Sequence, residues 1–263
     1  MPATSGPRLV KRPKAVLIDL AGVLHVGEGA IEGAFPALAR LRAAGLPLRF
    51  LTNTTRTPRR TIVAKLRKMG FAIDEGELQT APHAAQLLVR ERGLHPLYLI
   101  HPDLAAEIGP SAAEPDSVVM GDMGPHLDYA RLNAAFRLLM AGKPFIAMAK
   151  NRYFMEEDGL SLDMGAFVAG LEFSSGAKAE IAGKPAAGFF HSALNGLGVA
   201  AADAVLIGDD LHDDVGAARA AGIPAILVRT GKFRPGDDAH PEIRPDFVAE
   251  DFAEAVDWLL DLG

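Results

Sequence analysis

Three segments of this chain each place polar residues directly after an apolar run: Asp19 after residues 15–18, Thr52-Asn53 after residues 46–51, and Asp209-Asp210 after residues 204–207 and Gly208. The third continues through Leu211-His212-Asp213-Asp214, so four carboxylates fall within six residues. Carboxylates so close repel one another unless water or a cation neutralises them. Mg²⁺ takes hard oxygen ligands, usually one or two carboxylates together with phosphate and water. The chemistry these residue types fit is therefore a phosphoryl group held beside a divalent cation. The plainer reading is that an Asp after a strand caps a helix or forms a turn, and capping accounts for two of the four carboxylates. His25 and His212 lie close enough in sequence to these segments to shuttle a proton, or they are polar loop residues. Lys150-Asn151-Arg152-Tyr153 and Glu156-Glu157-Asp158-Gly159 read either as contacts to a substrate's leaving group or as a solvated turn. Lys184, taken alone before Pro185, reads as a solvated surface lysine.

The elements that must position these residues follow from the apolar pattern. Residues 15–18 form a short continuous apolar run, the mark of a strand buried on both faces of a parallel sheet. A helical pattern through Phe35, Leu38 and Leu41 ends at Gly45, and a second strand covers 46–51. Thr57 before Pro58 predicts an N-cap with proline at the first helical position, and Ile62, Leu66 and Met69 then recur at helical spacing. The same alternation returns near the C-terminus, with a helix over 186–196, a strand over 204–207, a helix over 215–221 and a strand over 225–228. A final amphipathic helix over 252–260 carries Trp258. The pattern predicts an α/β fold, a doubly wound parallel sheet. An inserted α/β domain interrupts it, with strands at 97–100, 118–120 and 145–148 and helices at 84–92 and 129–140. We place the core at 1–80 and 177–263 and the insertion at 81–176. In an open parallel sheet, ligands sit at the carboxyl ends of the strands, where the three polar segments fall.

Composition narrows the function classes. At 263 residues the chain is long enough for two domains. Its net charge of −6 and the absence of a Lys/Arg run give no footprint for nucleic acid. With no cysteine, disulfides, thiolate metal sites and a cysteine nucleophile are excluded. Residues 1–14 lack the apolar core of a secretory signal and read as a frayed tail, and no apolar run approaches the roughly 20 residues of a membrane helix. The expectation is a cytoplasmic protein with no membrane partner.

Four segments then resemble, in order, the motifs of the haloacid dehalogenase (HAD) superfamily: Asp19-Leu20-Ala21-Gly22-Val23-Leu24, Thr52-Asn53, Gly183-Lys184-Pro185, and Gly208-Asp209 through Asp214. The resemblance covers nearly the whole chain and is to subfamily IIA, whose α/β cap is inserted after the second motif. Leu51-Thr52-Asn53-Thr54-Thr55 and Ile207-Gly208-Asp209-Asp210 resemble its phospholysine phosphohistidine inorganic pyrophosphate phosphatase branch, which is also that of haloacid-dehalogenase-like domain-containing protein 2. The resemblance implies a Mg²⁺-dependent phosphatase acting on small phosphorylated substrates, with Asp19 as nucleophile through an aspartyl-phosphate. It implies that Thr52 and Asn53 bind the phosphoryl group and that Lys184 neutralises charge. Asp19, the Ala21 carbonyl, Asp209 and Asp214 would hold the metal, Asp214 either directly, through water, or by orienting Lys184. A homodimer through the cap is left open. The sequence departs from the superfamily at Ala21, where its phosphatases generally carry a second Asp as general acid and base. Good leaving groups (aryl, acyl, phosphorus–nitrogen, pyrophosphate) are therefore expected to be favoured. The alternatives are a catalytically weak or inactive phosphate- and metal-binding scaffold, and a dehalogenase, against which the acidic cluster argues.

Overall fold

The computed structural model describes residues 9, 11–156 and 159–262. The reading of a frayed tail therefore falls, for residues 1–8 and 10, outside the described residues, as do Glu157 and Asp158 of the expected turn. The chain divides into two compact units, one of Met1–Thr52, Ile62–Gln79 and Lys184–Gly263, the other of Asn53–Thr61 and Thr80–Gly183.

The first unit is a six-stranded sheet in the order Phe247–Ala249, Ala225–Val228, Ala204–Gly208, Ala15–Asp19, Leu48–Thr52, Leu78–Thr80. The first five run parallel to one another. Ala15–Asp19 lies between two neighbours, Ile18 facing Ile207 on one side and Phe50 on the other. Both of its faces are covered, so an uninterrupted apolar strand is what the position requires. Leu17, Ile18, Phe50 and Ile207 are fully buried, each contributing roughly 1.5–3 kcal/mol relative to exposure. Helices Ala34–Ala43 and Phe252–Asp261 share one face, burying Leu38, Leu41, Val256 and Leu259 in the same core.

The second unit has its own parallel sheet, Glu180–Ile181, Phe145–Ala147, Ser117–Met120, Pro96–Leu99. Its core joins Val118, Met120 and Phe145 to Leu139, Val168 and Leu171 from helices Tyr129–Met140 and Gly165–Ser175.

Several local expectations need correction. The strand predicted from residue 46 begins at Leu48, and the helix after it starts at Arg59. Residues 150–159 are not simply a turn: Tyr153–Glu156 pairs antiparallel with Gly159–Leu162. Phe247–Ala249 and Leu78–Thr80 are strands of three residues, too short for period-two alternation to register. The helix expected over 215–221 begins earlier, as a wide turn over Leu211–Gly216 that runs into Ala217–Ala220. Asp210 starts it, its side chain accepting from the amides of His212 and Asp213, both at 2.9 Å. Segment Asn53–Thr61, counted with the core from sequence, groups with the second unit. The Arg56 guanidinium there donates to Asp122 at 2.5 Å, and Arg59 makes two hydrogen bonds to Glu107.

Candidate active site

The strand order sets Ala204–Gly208, Ala15–Asp19 and Leu48–Thr52 side by side and parallel. Asp209, Asp19 and Thr52 consequently emerge at one carboxyl edge. Lys184, 165 residues from Asp19 in sequence, reaches the same edge, and its Nζ donates to Asp19 Oδ1 at 2.5 Å and to Asp214 Oδ1 at 2.6 Å. Lys184 is thus a buried ion-pair centre rather than a surface lysine, 5% exposed, with Asp19 at 6% and Asp209 and Asp214 at 1% each. Asp214 Oδ2 accepts from the Asp210 amide at 3.2 Å. Asp209 Oδ2 accepts from the Lys232 amide at 2.6 Å. Thr52 is buried at its strand end.

Carboxylate oxygens of Asp19, Asp209 and Asp214 all lie within 4.8 Å of one another. Burial raises the Asp19 carboxyl to about 6, the Asp214 charge adding to it and the Lys184 ammonium opposing it. Burial also raises Asp209, to about 8, with Asp19 and Asp214 pushing the same way. For Lys184, burial works against the ammonium, but the charges of Asp19 and Asp214 outweigh it and the pKa rises. One buried ammonium among three buried carboxylates leaves negative charge uncompensated. A hard divalent cation with oxygen ligands is the species that such a donor set accommodates, so the residues present fit a divalent metal.

Two glycines make room for Asp209. Gly22 and Gly231 have φ of 87° and 60°, and a Cβ on either would lie 2.0 Å from Asp209 Oδ2. Gly22→Ala is expected to lower stability by about 2 kcal/mol or more, because the left-handed backbone alone disfavours alanine by roughly 1–2 kcal/mol and the methyl group overlaps a carboxylate. Chemical denaturation measures this, and a change below about 0.5 kcal/mol, the scale of an ordinary surface substitution, would contradict the packing argument. Sequence reading quoted Gly22 only within a motif and missed Thr230-Gly231-Lys232 altogether. The available signal was position, since this segment closely follows strand Ala225–Val228 of the same sheet.

Other candidates fall elsewhere. His25 pairs with Ala21 in an isolated bridge and its Nδ1 lies 3.1 Å from the Gly27 carbonyl. Burial holds its pKa below the usual histidine value. His212 is exposed, its ring edge-on to His240 at 5.6 Å. Ala21 is exposed. Asn53 opens the second unit, where its Oδ1 would be 2.5 Å from a Cβ at Gly183. Lys150 donates to Glu172 at 2.5 Å, a structural ion pair within the second unit.

Family models match both segments that build the sheet edge: "Haloacid dehalogenase-like hydrolase" over residues 16–108, and a HAD-hydrolase-like model over residues 181–255. The phospholysine phosphohistidine inorganic pyrophosphate phosphatase of Rattus norvegicus is 43% identical over 254 residues, covering 94% of each chain. Among solved structures, the 4-nitrophenylphosphatase of Thermotoga maritima superposes with a TM-score of 0.86 at 28% identity, covering 93% of this chain and 97% of that one. The glycerol phosphate phosphatase Rv1692 of Mycobacterium tuberculosis, solved in complex with magnesium, gives a TM-score of 0.82 at 27% identity, over 94% of this chain and 77% of that one. Among the described residues no helix is long and apolar enough to cross a membrane. Likeness sustained over nearly the full length of a curated relative, with matches spanning the residues that meet at the sheet edge, means that this chain belongs to the haloacid dehalogenase-like hydrolase family.

Proposed function

We propose that this chain is a Mg²⁺-dependent phosphatase of small phosphorylated substrates that works through an aspartyl-phosphate on Asp19. The observation that carries the reading is the Lys184 ammonium bridging Asp19 and Asp214 beside a third buried carboxylate, Asp209. Phosphoryl transfer depends mainly on positioning and charge compensation, and these residues divide that work. Lys184 holds Asp19 by Oδ1, which turns the opposite oxygen towards phosphorus. The Lys232 amide holds Asp209 by Oδ2, which would leave Oδ1 for a cation. Asp214 orients Lys184, and Thr52 gives its hydroxyl to a phosphoryl oxygen with Asn53 beside it in the chain. Asp19, Asp209 and the Ala21 carbonyl would hold the metal, which would supply positive charge to offset the phosphoryl oxygens. Attack by Asp19 forms the carboxyl–phosphorus bond as the bond to the leaving group breaks, and water then cleaves the phospho-enzyme to phosphate. The second unit serves as the cap that selects the leaving group.

Turnover of 4-nitrophenyl phosphate is expected to require Mg²⁺, to vanish in excess chelator and to be inhibited by Ca²⁺. The larger ion accepts more ligands and would engage both oxygens of Asp19. A readout independent of turnover comes from protonation. In the metal-free protein burial raises the Asp19 and Asp209 carboxyls to about 6 and about 8, against 3.8 for an unperturbed Asp. Between those values the folded state holds more protons than the unfolded one, so stability falls as pH rises through this window. Mg²⁺ relieves that penalty, so its addition is expected to raise Tm more at pH 8 than at pH 6. Full activity in chelator would refute the metal requirement. A Tm shift with no turnover of any phosphorylated compound would favour the non-catalytic scaffold.

A further inference from the structure

We propose that Lys232 is a specificity-determining residue whose ammonium binds the departing anionic group, favouring substrates such as pyrophosphate in which a second phosphoryl group leaves as an anion. The proposal rests on the phosphatase reading above and extends it to the leaving group.

Among the described residues, Lys184 and Lys232 both stand at the sheet edge, and they differ in what occupies them. Lys184 is buried and committed to Asp19 and Asp214 at 2.5 and 2.6 Å. Lys232 is fixed by its backbone, which donates to Asp209 Oδ2, while its side chain is 65% exposed. The ammonium meets Asp210 Oδ2 at 3.3 Å. An exposed ion pair of that length contributes about 0–1 kcal/mol, so the ammonium leaves Asp210 readily for a stronger anion. Asp210 keeps its role in the helical turn without Lys232, because Oδ1 is the atom that accepts from the His212 and Asp213 amides. An exposed ammonium is therefore carried on a backbone that is hydrogen-bonded to Asp209, one of the three clustered carboxylates.

The chemistry requires such a group. Ala21 offers no proton, so the leaving group takes the electron pair of the broken bond and departs as an anion unless a cation or another donor neutralises it. With hydrogen pyrophosphate, the Asp19 carboxylate attacks one phosphorus, the bridging P–O bond breaks towards the other, and the products are the aspartyl-phosphate and hydrogen phosphate dianion. No proton is transferred in that step. Water then releases the second phosphate and restores the carboxylate. An ammonium that hydrogen-bonds to the departing phosphate stabilises charge that grows as the bond breaks, the condition under which a contact accelerates rather than merely binds. 4-Nitrophenolate, which spreads a single negative charge into its ring, gives the ammonium less to bind than a phosphate dianion.

The test compares wild type, Lys232→Met and Lys232→Arg with Mg²⁺ on pyrophosphate and on 4-nitrophenyl phosphate. Methionine keeps the backbone amide that holds Asp209. The ratio of kcat/KM for pyrophosphate over 4-nitrophenyl phosphate is expected to drop by about 10-fold or more in Lys232→Met, the scale of a lost charge-assisted hydrogen bond, and to recover in Lys232→Arg. An equal loss on both substrates would mean that Lys232 acts through Asp209 and would overturn the proposal, as would an unchanged ratio. Binding of the non-hydrolysable analogue imidodiphosphate to wild type and Lys232→Met is measured alongside. If no substrate is turned over, the phosphatase reading fails while Lys232 is judged by binding alone: weaker binding by Lys232→Met supports its role, and equal binding overturns it.

Discussion

Asp19→Asn is expected to lower kcat/KM by about 10³-fold or more, the scale on which removing a covalent nucleophile acts, with the fold retained. The amide is a poor nucleophile and takes away an anionic metal ligand, yet it fills the same volume. Its carbonyl oxygen still accepts from Lys184, whose second acceptor, Asp214 Oδ1 at 2.6 Å, is untouched. The carboxyl being replaced is raised to about 6 by burial, so its ionisation above that pH weakens the metal-free fold. Removing the ionisable group removes that weakness, and offsets the lost attraction to Lys184. Circular dichroism and Tm at pH 8 should therefore match wild type within a few degrees, which is about 1 kcal/mol for a chain of this size. Acid-quenched mass spectrometry should find the phosphorylated Asp19 peptide in wild type and not in the variant. A variant that keeps more than a few per cent of activity would show that another residue attacks phosphorus.

The second large effect is set by what alanine lacks at position 21. A positioned general acid or base is worth about 10²- to 10⁴-fold, and neither Lys184 nor His25 is placed to substitute for it. Lys184 is held protonated by the two carboxylates it bridges, and the His25 ring makes its contact with the Gly27 carbonyl. Turnover should therefore depend steeply on leaving-group pKa, with aryl phosphates, acyl phosphates, phosphoramidates and pyrophosphate cleaved faster than alkyl phosphates. Water also attacks the aspartyl-phosphate without a positioned base, so the intermediate should accumulate with the best leaving groups. Ala21→Asp is expected to speed alkyl phosphate hydrolysis by about 10-fold or more, within the range for acid–base groups, and to flatten that dependence. Ala21 is exposed, so the added carboxylate meets little steric resistance. Equal rates for alkyl and aryl phosphates in the native protein would mean that another group supplies the proton, and His25→Asn would be the variant to examine next.

Sequence pattern alone determined the α/β class, the doubly wound parallel sheet and the presence of an inserted unit. The reason is local: apolar runs such as residues 15–18, bounded by turn formers and alternating with helical periodicity, are stable only as strands covered on both faces. It also identified Asp19, Thr52, Asp209 and Asp214 as candidates, because they follow such runs and because clustered carboxylates call for a cation. Tertiary structure decided everything that depends on contact across the chain. Lys184 read alone as a surface lysine, and its commitment to Asp19 and Asp214 appears only when segments 165 and 30 residues apart close on one another. Asp209 and Asp210 are neighbours in sequence but point to different tasks, one into the carboxylate cluster and one into the helical turn. That division follows from backbone direction, which residue type does not encode. Lys232 carried no signal of its own, since its amide and its ammonium matter only through Asp209 and Asp210. Likewise Gly22 and Gly231 look like ordinary loop glycines until the fold brings the Asp209 carboxylate to where their side chains would be.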